Sequence, residues 1–108
     1  MSRDNRLRLL DILDAIDRIV SYVEGMDCKA FSADRKTQDA VIRNVEIIGE
    51  AARSLPVDFR ESHPDVPWDE IVAMRNVLVH QYFGVLADVV WDVIQNELPT
   101  LRSQIEQL

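Results

Sequence analysis

Val41, Val45, Ile48, Ala52 and Leu55 recur at steps of four, three, four and three, and this unbroken stripe narrows the folds open to the chain. Such spacing is that of an α-helix burying one apolar face. The same signature appears upstream in Leu9, Ile12/Leu13, Ile16, Ile19/Val20 and Val23, with Asp11, Asp14, Asp17 and Arg18 between them. It returns downstream in Trp91, Ile94, Leu98, Leu101, Ile105 and Leu108. Nothing alternates with period two over a useful length, so strands are not expected. The pattern predicts an all-α fold, an antiparallel bundle of four main helices.

Local signals place the ends. The first helix is expected over about residues 3–24, closed by Gly25, and residues 26–33 are expected to be a connection. Ser32 or Asp34 can cap the second helix, and Pro56 stops it. Inside it, Gly49 costs about 1 kcal/mol relative to alanine. Its place beside Ala51 and Ala52 suggests close approach of another helix. Residues 56–67 read as one long irregular loop. The third helix opens at Pro67-Trp68-Asp69-Glu70, with a proline in the first turn and two acids near the positive helix end. Trp68, Ile71/Val72, Arg75, Leu78/Val79 and Tyr82 share its broad face, and Gly84 is a natural stop. The apolar phase of the fourth helix survives Pro99, which predicts a kink there rather than an end.

At 108 residues the chain is expected to be a single domain, 1–108, able to bury a modest core. One cysteine, Cys28, excludes an internal disulfide and fits a reducing cytosol; its simplest role is filler beside Met26 and Phe31. No apolar run approaches the roughly 20 residues that span a bilayer. The opening Met-Ser-Arg-Asp-Asn-Arg leads into charged helix, not a signal peptide, so a cytoplasmic protein is expected. A net charge of −7 would repel nucleic acid on average, so any such function has to be local.

The chemistry-bearing stretch is Arg75-Asn76-Val77-Leu78-Val79-His80-Gln81-Tyr82. It combines a permanent cation, an imidazole that titrates near neutrality and a phenol, a set suited to a phosphodiester. Five positions on a straight helix put Arg75 and His80 about 140° apart and about 7.5 Å along the axis. They converge only if the helix loosens around His80 or if a second chain brings its own copies into the same groove. Each residue also has a plain reading: Arg75 paired with an acid such as Glu50, His80 bonding backbone carbonyls, Tyr82 packing with its hydroxyl at the rim, Asn76 as a local cap.

The remaining candidates are weaker. His63 is expected to be solvent-exposed, Trp68 and Trp91 to be core, and Arg3, Arg6 and Arg8 to form a solvated first turn. Two distant histidines, one cysteine and scattered carboxylates give no metal-ligand spacing, so no metal or cofactor is expected.

With these residues in view, the chain resembles the HepT-like branch of the HEPN superfamily, the toxins of HepT–MntA (type VII-like) toxin–antitoxin pairs. The resemblance rests on Arg75 through Tyr82, the preceding Pro64-Asp65-Val66-Pro67-Trp68, the following Phe83-Gly84, Ile48-Gly49-Glu50-Ala51, and the Trp91…Leu98-Pro99…Leu101 pattern. It covers nearly the whole chain. It departs from the family pattern at Leu86-Ala87, where an aspartate is common.

The resemblance implies a homodimeric, metal-independent endoribonuclease with Arg75 and His80 as the catalytic pair in a cleft at the dimer interface. Asn76 would support them by positioning a phosphate oxygen or holding the His80 ring. It also implies an MntA-like nucleotidyltransferase antitoxin that transfers AMP to Tyr82, in the substrate groove. The alternative is a non-catalytic HEPN module that binds nucleotide or scaffolds a nucleotidyltransferase partner.

Overall fold

The computed structural model describes residues 4–80 and 87–108, without the side chains of Val79 and His80. The described residues form helices α1 (Asn5–Tyr22), α2 (Cys28–Ala33), α3 (Arg35–Ser54), α4 (Val57–Ser62), α5 (Trp68–His80), α6 (Ala87–Asp92) and α7 (Leu98–Glu106). A π-helical turn, Val93–Glu97, joins the last two. No strand occurs among the described residues. The architecture is the all-helical bundle that the spacing predicts.

The apolar stripes become the core. Leu9, Ile12, Ile16 and Ile19 of α1 are buried, as are Val41, Val45, Ile48 and Ala52 of α3. α1 packs along α3, α3 along α5, and α7 returns to α1, which places α3 at the centre. Arg102 fastens α7 to α1 by a two-pronged pair with Asp17, Nε to Oδ1 at 2.7 Å and Nη2 to Oδ2 at 3.0 Å. Arg102 also pairs with Glu106.

Aspartates start the first three helices. Asp4 accepts from the Arg6 amide at 2.8 Å, Asp27 from Ala30 at 2.8 Å, and Asp34 from Thr37 at 3.0 Å. Such caps satisfy amide donors that the first turn leaves unpaired. Asp34, not Ser32, therefore caps α3; the Ser32 hydroxyl donates back to the Cys28 carbonyl at 2.7 Å. Gly25, at φ +79°, closes the turn after α1 in the left-handed region that side chains avoid.

Two expected irregular stretches are partly helical. The connection over 26–33 contains α2, started by Asp27 and burying only Phe31, whose ring lies 5.5 Å from that of Trp91. The loop over 56–67 contains α4, which buries no residue at all. One turn and a half with one buried side chain or none leaves no periodic trace in a sequence. His63, expected in solvent, is half-buried, with its ring 4.7 Å from that of Phe59. Cys28 is half-buried at the start of α2.

The interruption expected near Pro99 lies just upstream, as the π turn. Proline has no amide hydrogen and its ring crowds the carbonyl four residues back. The chain widens by one residue there, so the Leu98 amide bonds to the Val93 carbonyl. The extra residue rotates the buried face, so Val90, Val93 and Ile94 lead into Leu98, Leu101 and Ile105. Trp91 is only half-buried, and Leu108 is 42% exposed.

Candidate active site

Arg75 is positioned by the contact between α3 and α5. Trp68, Ile71 and Leu78 sink one face of α5 into the core. Its first turn is held by the Trp68 indole N–H, which donates to the His63 carbonyl at 3.0 Å. On α3 the facing position is Gly49, buried, with no side chain to hold the helices apart. Arg75 fills that gap. A methyl group on Gly49 would lie 2.5 Å from both Cβ and Cγ of the arginine. The glycine expected to mark a close helix approach thus seats the candidate catalytic arginine.

The guanidinium emerges from this seat with its side chain 25% exposed. Nη1 donates to the Asn76 side-chain oxygen at 2.9 Å. Nη2 lies 3.8 Å from Oε1 of Glu50, the residue after the seating glycine. Nε is buried and has no partner among the described residues. An unpaired buried donor costs about 1–3 kcal/mol. The fold carries that cost beside an outward-facing cationic fork, the geometry that binds phosphate oxygens in pairs.

α5 is α-helical as far as it is described, through His80. The backbones of Arg75 and His80 thus keep the divergence of about 140° set by helical geometry. The imidazole of His80, all of Tyr82, and the expected stop at Gly84 lie outside the described residues, as do Arg3 and the Leu86 departure. Asn76, bonded to the fork, and Val77, one turn before His80, are exposed, Val77 at 45%.

Two other grooves are poor phosphate sites. One of about 340 Å³ between α5 and α7 carries Asp65, Glu70 and Glu97 and no basic residue. A second, between α1 and α3, sets Arg8 and Arg43 against Asp11, Glu46 and Glu50. Among the described residues, no group of three or more His, Cys, Asp or Glu side chains could hold a metal. No described helix is long and apolar enough to cross a membrane.

Comparison with known proteins shows which family the chain belongs to. The family described as "Ribonuclease HepT-like" matches residues 12–108, which include α3, α5 and the whole segment from Arg75 to Tyr82. The chain is 42% identical over its full length to the "Probable ribonuclease HepT" of Thermococcus cleftensis, covering 98% of that protein. It is 40% identical to the "Putative RNase MJ0127" of Methanocaldococcus jannaschii, over 98% of this chain and 88% of the relative. A "Putative RNase TTE0752" of Caldanaerobacter subterraneus subsp. tengcongensis is 40% identical over 90% of this chain and 87% of its own. No solved structure matches significantly. The chain belongs to the HepT-like ribonuclease family.

In this HepT-like chain the surroundings of Arg75 include a residue that sequence reasoning passed over. Arg53, one turn beyond Gly49 on α3, brings Nη2 to 3.6 Å from Oε2 of Glu50. Glu50 therefore has one oxygen toward Arg53 and the other toward Arg75. The i,i+3 spacing of Glu50 and Arg53 was the available signal. It was indistinguishable from an ordinary surface ion pair until α5 supplied the second arginine.

Proposed function

We propose that this HepT-like ribonuclease is a metal-independent endoribonuclease in which Arg75 and His80 do the chemistry, in a groove shared by two copies of the chain. The observation that carries this reading is the Arg75 fork, seated on Gly49 and presented at the surface of the helix that carries His80.

Cleavage without a metal needs three things at one phosphate. A base takes the proton of the ribose 2′-hydroxyl as its oxygen attacks phosphorus. An acid protonates the departing 5′-oxygen. A cation stabilises the doubly charged pentacoordinate phosphorus between the two steps. The products are a 2′,3′-cyclic phosphate and a 5′-hydroxyl. Arg75 is the cation, with Asn76 orienting its fork through the bond to Nη1. His80 is the proton-handling group, whose ordinary pKa near 6.5 suits either direction of transfer.

One chain supplies a single such histidine on this helix, diverging from its arginine. A twofold pair of chains supplies two, with each arginine facing a groove that both copies line. Val77, 45% exposed and one helical turn before His80, gives that contact apolar surface.

In the cell this activity is the toxin half of a toxin–antitoxin pair. A nucleotidyltransferase antitoxin silences it by transferring AMP from ATP to the Tyr82 phenol, with pyrophosphate leaving. The added phosphodiester anion would fill the groove and compete for Arg75.

The test is induced expression of the wild type, Arg75→Ala and His80→Ala without a partner, scoring growth and RNA integrity. Wild type should arrest growth and yield cyclic-phosphate ends, and neither variant should. An intact wild-type protein that leaves RNA whole supports a non-catalytic module instead. Mass measurement after incubation with the partner and ATP should show one or more AMP units, lost in Tyr82→Phe.

A further inference from the structure

Glu50 occupies the place where an RNA phosphate would meet Arg75, yet its grip is loose. Its Oε1 stands 3.8 Å from Nη2 of Arg75, too far for a hydrogen bond, and its side chain is 51% exposed. Ion pairs of this kind contribute little to stability. The carboxylate also has a second holder, because Oε2 lies 3.6 Å from Nη2 of Arg53, itself 68% exposed. If a phosphate displaced Glu50 from Arg75, the carboxylate would keep Arg53 and would not be left unpaired. Asn76 meanwhile holds Nη1, so the fork keeps its orientation during the exchange.

We propose that Glu50 is a positioning residue that stands in for the substrate phosphate: it holds the Arg75 guanidinium in the free protein and yields it to RNA, retreating onto Arg53. This rests on the reading of Arg75 as the phosphate-binding cation. It assigns Arg53 a role without contact to RNA. Arg53 competes with Arg75 for the same carboxylate and so favours the binding-ready state.

The two arginines then have opposite relations to Glu50, and the signs of the variants follow. Binding is measured by fluorescence anisotropy with a mixed-sequence, fully 2′-O-methylated oligoribonucleotide, which cannot undergo 2′-hydroxyl attack. Glu50→Gln and Glu50→Ala should each bind about two- to fivefold more tightly than wild type. Arg53→Ala should bind more weakly by a similar factor, because Glu50 is left to Arg75 alone. In the Glu50→Gln background, Arg53→Ala should change nothing. Glu46→Gln controls for net charge: its carboxylate lines the same face but pairs with Arg43 at 3.6 Å, so it should leave binding near wild type. In cleavage assays the Glu50→Gln effect should fall on KM.

Unchanged or weaker binding by Glu50→Gln overturns the proposal, and so does an equal gain from Glu46→Gln. A loss from Arg53→Ala that persists without Glu50 shows that Arg53 touches RNA directly, which also overturns it. A fall in kcat for Glu50→Gln would make Glu50 part of the chemistry and not a placeholder. Arg75→Ala separates this inference from its foundation. Wild-type binding by that variant removes the reading of Arg75 itself, whereas loss of binding leaves that reading standing whatever Glu50 does.

Discussion

Gly49 lies so close beneath Arg75 that a methyl group there would be 2.5 Å from two carbons of the arginine side chain. The Cγ can swing away, but the Cβ is fixed to the backbone of α5, so relief requires the two helices to part. Gly49→Ala gains about 1 kcal/mol of helix propensity. Forced overpacking costs about 1–3 kcal/mol. The expected outcome in urea melts is a net loss on the order of 1 kcal/mol. RNA cleavage should fall further than this loss explains, because the fork moves with α5. A variant that melts higher and cuts normally would show the contact to be slack.

Arg75 should trade stability against function. Its buried Nε is unpaired among the described residues, so Arg75→Met removes an orphan donor while keeping the apolar stem over Gly49. The melting temperature should hold or rise, with a gain of up to about 1 kcal/mol. Cleavage should fall about a hundredfold or more, the usual cost of losing one preorganised donor to a transition-state anion. Arg75→Lys should not rescue it, since an ammonium cannot keep both the Asn76 oxygen and a phosphate edge in one plane. Circular dichroism melts and a fluorogenic RNA assay on the same preparations read both effects.

The long helices were legible because each buries a stripe, and burial leaves a period in the sequence. Val41 through Leu55 is the plainest case: all five stripe residues are buried. α2 and α4 were not legible, because Phe31 is the only buried residue of one and the other has none. The π turn was half legible. Pro99 announced a disturbance, but where the chain absorbs it depends on packing of Val93 and Ile94 that no local rule contains. For the site, Gly49 and Arg75 were each visible as oddities. Their contact was not, since it joins residues on different helices. Of the Arg53–Glu50–Arg75 chain, the Glu50–Arg75 half was among the plain readings of Arg75, whereas Arg53 looked like one more i,i+3 surface pair within α3.

Acid should loosen the bundle at two identifiable points. The Arg102 guanidinium bonded to Asp17 holds that carboxyl below its usual range. The Thr37 amide and hydroxyl do the same for Asp34 at the start of α3. A carboxyl whose folded pKa is depressed stabilises the fold fully above the unfolded value of about 4, and loses that contribution as pH falls through the lower folded value. Melting temperature should therefore be flat for these groups near neutrality and decline below about pH 4. The decline should be shallower in Asp17→Asn and Asp34→Asn, which start less stable at pH 7. An equally steep acid limb in both variants would assign it to other carboxylates.

Trp68 tests whether site and scaffold can be separated. Its indole is buried, donates to the His63 carbonyl at 3.0 Å and lies edge-on to Phe59 at 6.4 Å, tying the first turn of α5 to the end of α4. Arg75 sits two turns further along the same helix, held there by Gly49 and not by the indole. Trp68→Phe keeps an aromatic ring but removes the donor and leaves a small void, a cost of about 1–3 kcal/mol. Urea denaturation should show that loss at pH 7. Well below the melting temperature, kcat and KM for RNA should stay near wild type, since the α3–α5 contact under the fork is untouched. A kcat that falls while the protein remains folded would mean that the start of α5 sets the position of Arg75, and that the seat on Gly49 is not sufficient.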